Sequence, residues 1–114
     1  MIISEAFTHV VEPLIRATNS FDVEAALDLF ARNAVIDDSS TGERFECHTG
    51  VRDYIGQFFI GYRTVTRLLS LQELEDGRIR ARVGFTGNFG HEIGLLDIAI
   101  GPDTLITRID ADLE

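Results

Sequence analysis

The 114 residues suffice for one domain of ordinary size, spanning 1–114, and leave no room for a second. Ten arginines and no lysine stand against nineteen acids, and the resulting net charge of −9 repels nucleic acid and anionic membrane surfaces. The missing lysine also excludes Schiff-base catalysis and a Walker-type phosphate loop, while 45% hydrophobic and 25% charged residues are the composition of a globular protein.

From the start of the chain Ile3, Phe7, Val10, Val11, Leu14 and Ile15 fall on one helical stripe, which predicts a first helix over 3–18. Pro13 lies inside it without an N–H for the carbonyl of His9, so a kink is expected there, or else a helix that properly starts near Glu12, the kink being favoured. Asn19, Ser20 and Asp22 are cap candidates for a second, short helix through Val23, Ala26, Leu27, Phe30 and Ala31, closed by Asn33 in a left-handed conformation. A small hairpin follows: strand 35–38, turn 39–42, and strand 44–48 with Phe45 and Cys47 on one face. Thr49 then caps a third helix whose stripe is Val51, Tyr54, Ile55, Phe58, Phe59 and Tyr62.

Beyond Tyr62 the period changes from helical to two. Strand 64–74 runs into the Asp76-Gly77 hairpin signal and strand 78–89, where Ile79, Ala81, Val83 and Phe85 share one face and Arg78, Arg80 and Arg82 the other. A polar-aromatic loop over 87–92 carries Asn88 and His91, strand 93–100 is apolar on both faces, Gly101-Pro102-Asp103 turns the chain, and 105–113 is the last strand. Three helices ahead of a run of antiparallel strands indicate an α+β fold, with the helices packed in a strongly curved sheet. A strand apolar on both faces calls for a homodimer through the sheet's outer face, with Arg78, Arg80 and Arg82 at the rim. No apolar run reaches the ~18–20 residues of a membrane span and residues 1–7 lack signal-peptide character, so the expected location is cytoplasmic. The lone Cys47 agrees with a reducing compartment.

Several segments resemble the SnoaL-like branch of the nuclear transport factor 2 superfamily. They are Ala17-Thr18-Asn19-Ser20-Phe21-Asp22, the run from Leu29 to Asp38, Gly50-Val51-Arg52-Asp53-Tyr54-Ile55, Phe85-Thr86-Gly87-Asn88-Phe89-Gly90 and Leu105-Ile106-Thr107-Arg108-Ile109. The resemblance implies a cone, or cystatin-like α+β barrel, with an apolar pocket at its open end, commonly within a homodimer. It implies an isomerase, cyclase or dehydratase acting beside a carbonyl, or alternatively a non-catalytic ligand-binding or accessory dimerisation module. On the isomerase pattern, ketosteroid isomerase being one described example, Asp38 matches the general base and Asp97 the acid that, kept protonated, donates a hydrogen bond to the developing enolate. The residues themselves also allow Asp38 to cap a turn with Ser39 and Ser40, and Asp97 to bond a neighbouring Asn, His or Arg. One departure stands out, because Leu14 occupies the position of the isomerases' oxyanion-binding Tyr, leaving Tyr54 or Tyr62 as substitutes.

The expected pocket is lined by Leu14, Leu27, Phe30, Tyr54, Phe58, Val83, Phe85 and Asp97 and takes a small apolar molecule. Arg108-x-Asp110 echoes the Asp-Arg-Asp arrangement of epoxide-hydrolysing relatives, but the two residues fall on the polar face of the last strand. His9, His48 and His91 have no metal-ligand spacing, so neither a metal nor another cofactor is expected.

Overall fold

A computed structural model describes residues 2–114. Helix α1 occupies residues 3–19 as an α-turn Ile3–Ala6, a π-turn Phe7–Val11 and an α-segment Glu12–Asn19. The helix runs on through Pro13, and the break expected there takes the form of the π-turn, in which the N–H of Glu12 donates to the carbonyl of Phe7. Widening the turn one residue ahead of proline is one way a helix absorbs the missing donor.

Helix α2 is Val23–Leu27, shorter than its apolar spacing suggests. Among the three cap candidates only Asp22 caps, accepting from the N–H of Ala25 at 3.1 Å. Phe30 and Ala31, which continue the helical spacing, instead open strand β1, Phe30–Asp38, and Asn33 lies within that strand. Pairing with a later strand, β6 (Ile106–Leu113), overrides the local helical pattern, and the register between them shifts between Phe30 and Val35. Strand β2 is Glu43–Glu46, and helix α3 covers residues 47–60 as an α-segment Cys47–Ile55 and a second π-turn Gly56–Ile60. The helix therefore begins ahead of Thr49, and Cys47, exposed, heads it rather than sharing a strand face with Phe45.

Strands β3 (Val65–Glu73), β4 (Ile79–Gly87) and β5 (Gly90–Ile100) complete a six-stranded sheet in the order β2-β1-β6-β5-β4-β3. Only the β1–β6 pair is parallel. The expected loop over 87–92 contracts to a two-residue hairpin, since Gly87 pairs with Gly90. Register shifts in β1–β6, β3–β4 and β5–β6 mark irregularities of the kind that bend a sheet, and the three helices pack into its inner face. The fold is α+β with a curved, mostly antiparallel sheet. Ile79, Ile98 and Ile106 are its largest fully buried side chains. Each contributes roughly 1.5–3 kcal/mol through burial.

Candidate functional site

Strand alternation decides which side chains reach the interior. On β1, Ala34, Ile36 and Asp38 are buried while Val35 and Asp37 are half-buried on the other face. Asp38 is thus carried into the interior at the strand's end, where it is only 4% exposed. Its carboxylate accepts three hydrogen bonds. Oδ1 takes the backbone N–H of Ser40 at 2.9 Å and the Ser40 hydroxyl, and Oδ2 takes the Tyr54 hydroxyl at 2.9 Å. Asp38 therefore closes a tight turn with Ser40 and lines a cavity at once. Its remaining acceptor capacity lies on Oδ2, since a carboxylate offers about four lone-pair sites and Oδ1 already takes two donors.

Tyr54 comes from α3. Burial, then the neighbouring Asp38 charge and their hydrogen bond, push its phenol well above the ordinary tyrosine range. It stays a neutral donor. The π-turn that ends α3 is closed by the N–H of Gly61 on the carbonyl of Gly56, 2.9 Å. Spacing of i+5 lets Phe59 join Phe58 against Tyr54, with ring centroids 6.1 and 4.9 Å from it.

The cavity beside Asp38 has a volume of about 340 Å³. That is at the low end of the ~300–1,000 Å³ typical of small-molecule sites. Phe58, Phe59, Phe85 and Leu113 form its apolar wall; Ser40, Thr41, Thr64 and Glu92 supply polar edges. Tyr62 and Phe89 meet edge to face at 5.9 Å on its rim, and Tyr62 is 44% exposed. A second, smaller chamber of about 40 Å³ lies behind Tyr54, Phe59 and Phe85, which line both, and is walled by Leu14, Phe30, Ile36, Leu96 and Ile109 with Thr66.

Of the residues expected in the pocket, Tyr54 and Phe85 line both chambers, Phe58 the larger, and Leu14 and Phe30 the smaller. Leu27 and Val83 are buried in the core and line neither chamber. Asp97 is not brought together with Asp38. It lies on the sheet's outer face, its carboxylate accepting from Arg80 Nε at 2.7 Å and Nη2 at 2.9 Å. The reason is parity: on β5 the even-numbered Leu96 and Ile98 face the core, so Asp97 shares the outer face with Leu95 and Ala99. The same face carries Arg108 between Asp37 (2.9 Å) and Asp110 (3.0 Å), an Asp-Arg-Asp arrangement outside the cavity. His48 bonds the Phe30 carbonyl at 2.9 Å, and His91 bonds Thr86 at 3.0 Å. Ser40, Thr41, Phe59, Thr64 and Thr66 were not expected at the site. Phe59 alone had a legible signal, its place on the α3 stripe.

No protein-family model and no curated protein matches the sequence. Solved structures do match its shape. SalBIII, an epoxide hydrolase/cyclase-like enzyme with a role in pyran ring formation in the polyether salinomycin, is 17% identical with a TM-score of 0.83, over 100% of this chain and 95% of that one. A Mycobacterium tuberculosis protein solved with estradiol-17β-hemisuccinate is 16% identical with a TM-score of 0.76, over 89% of this chain and 88% of that one. A nuclear transport factor 2-like protein from Cytophaga hutchinsonii is 13% identical with a TM-score of 0.72, over 91% of this chain and 86% of that one. At these identities the likeness is one of fold, and the chain has the nuclear transport factor 2-like fold.

Proposed function

We propose that the cavity takes up a small, mostly apolar molecule bearing a carbonyl, and that Asp38 moves a proton beside that carbonyl, as isomerisation, cyclisation or dehydration requires. The observation that carries this reading is a buried carboxylate with acceptor capacity left on Oδ2, set in a wall of aromatic rings. Oδ2 would take the proton from the carbon next to the carbonyl and return it to a second carbon, while Tyr54 and Ser40 hold the carboxylate in place. Asp97 has no part in this version, because its two oxygens bind Arg80 on the far side of the sheet.

Conversion of a β,γ-unsaturated cyclic ketone to its conjugated isomer, followed by ultraviolet absorbance, tests the reading. The wild-type chain should accelerate it, Asp38→Asn should lose at least about a hundredfold in kcat, and Asp97→Asn should retain it. A ketone that binds but is turned over equally by wild type and Asp38→Asn excludes Asp38 as base. A second reading, ligand binding without turnover, is favoured by Leu14 in place of a Tyr donor and by the engagement of Tyr54 with Asp38, which together leave the developing enolate without an assigned donor. Saturable ketone binding with no conjugated product in the wild type supports it. In either reading the chain is proposed to act as a homodimer through the sheet's outer face.

A further inference from the structure

Four polar side chains are buried among the described residues: Thr18, Asp38, Thr64 and Thr66. Three are accounted for. Thr18 donates to the Ile15 carbonyl, Thr64 to the Phe58 carbonyl at 2.7 Å, and Asp38 accepts from Ser40 and Tyr54. The Thr66 hydroxyl alone has no partner, although the residue is only 5% exposed. A buried polar group left unmade is costly and calls for a reason.

Its placement supplies one. Thr66 pairs with Phe85 across β3–β4, so both side chains stand on the inner face, and Thr66 lines the small chamber. Its backbone is fixed from the other side by Asn19, whose Nδ2 donates to the Thr66 carbonyl at 2.9 Å and whose Oδ1 accepts from the Thr66 N–H at 2.7 Å. This clamp leaves the hydroxyl as the free polar group, in a chamber whose other walls are almost wholly apolar. Tyr54, Phe59 and Phe85 line both chambers, and Asp38 lines the larger one.

We propose that the ligand class is an elongated apolar molecule with a polar group at each end, one at Asp38 Oδ2 and the other, a hydroxyl or carbonyl, in the small chamber on Thr66 Oγ1. Thr66 is then a specificity-determining residue. The proposal rests on the cavity reading above and adds the far end of the ligand to it.

Matched probes separate the two. Binding is measured for 2-naphthol against 2,6-dihydroxynaphthalene, and for estra-1,3,5(10)-trien-3-ol against estradiol, so that each pair differs by one distal hydroxyl on a skeleton of different length. In at least one pair the diol should bind the wild type about 3–10-fold tighter, the worth of one net hydrogen bond. Thr66→Val keeps shape and the Asn19 clamp, so it should leave the mono-ol's affinity intact and abolish or invert the diol's advantage. Thr66→Ser should keep it. Thermal melting of ligand-free Thr66→Val should be no lower than wild type, because the hydroxyl removed has no protein partner. Mono-ol binding with a diol ratio unchanged by Thr66→Val overturns the proposal while the cavity reading stands; the hydroxyl then serves a trapped water only. A lowered melting point in Thr66→Val also overturns it. Failure of all four probes to bind removes the cavity reading and this proposal with it.

Discussion

The Tyr54 phenol donates to a buried carboxylate, and its own ionisation is suppressed by burial and by that charge. The consequence is a signed pH dependence. The folded-state value is raised above the unfolded value near 10, so the contribution of Tyr54 is whole below pH 10. It is lost as pH rises, because the unfolded chain releases the phenolic proton and the folded chain holds it. Unfolding free energy should fall by up to about 1.4 kcal/mol per pH unit above pH 10 from this residue. Urea melts of Tyr54→Phe between pH 9 and 11.5 should show a flatter alkaline limb than wild type; parallel limbs would mean that Tyr54 ionises freely in the fold. The two carboxylates show how far a residue is legible in sequence. Asp38 is legible through its match to the isomerase pattern and its place ahead of Ser39 and Ser40, not through alternation, since Val35-Ile36-Asp37-Asp38 sets two apolar residues beside two acids. Asp97 sits in a run apolar on both faces, where hydrophobicity cannot say which parity points inward, and its Arg80 partner is visible only once β4 and β5 are in register.

The elements that shape the cavity depend on close approaches that a sequence pattern does not display. Gly94 on β5 is buried opposite Val83, and the Phe85 ring lies across it. A Cβ at position 94 would stand 2.5 Å from Phe85 Cε2 and 3.3 Å from the Asp112 carbonyl, so Gly94→Ala must displace the ring that lines both chambers. Overpacking of this kind costs about 1–3 kcal/mol. Urea melts should show that loss, and pairing the change with Phe85→Leu should recover much of it; no recovery in the double variant would place the strain elsewhere. The periodic stripes of α1 and α3 were readable because each is long and one-sided. Both π-turns were not, since i+5 bonding at Phe7–Val11 and Gly56–Ile60 leaves the same apolar residues in the same order. The error at Phe30 has the opposite cause: a helical spacing in the sequence yields to strand pairing with Ile106, seventy-six residues away.

At the scale of the whole molecule, the sheet's inner face is covered by helices and its outer face by ion pairs. Arg44, Arg78, Arg80, Arg82 and Arg108 bind Asp37, Asp76, Asp97, Asp110 and Glu114, five cations against five acids. Half of the chain's ten arginines thus pair with acids on one face of a molecule whose net charge is −9. The arginines of β4 are expected at the rim of a dimer interface, and Arg78 and Arg80 pair with Asp110 and Asp97. We place the proposed dimer interface on this network, because most of its charges are paired before they lose water; among the described residues Asp112, opposite Leu95, has no cation. Half-buried Ile93, Leu95 and Ala99 lie among them on β5. Sedimentation at micromolar concentration should therefore give the mass of two chains. Leu95→Asp, which adds an unpaired charge to that face, should give one chain while the far-ultraviolet spectrum is unchanged. A wild-type mass of a single chain would end the dimer reading, and a Leu95→Asp variant that remains dimeric would move the interface to another surface.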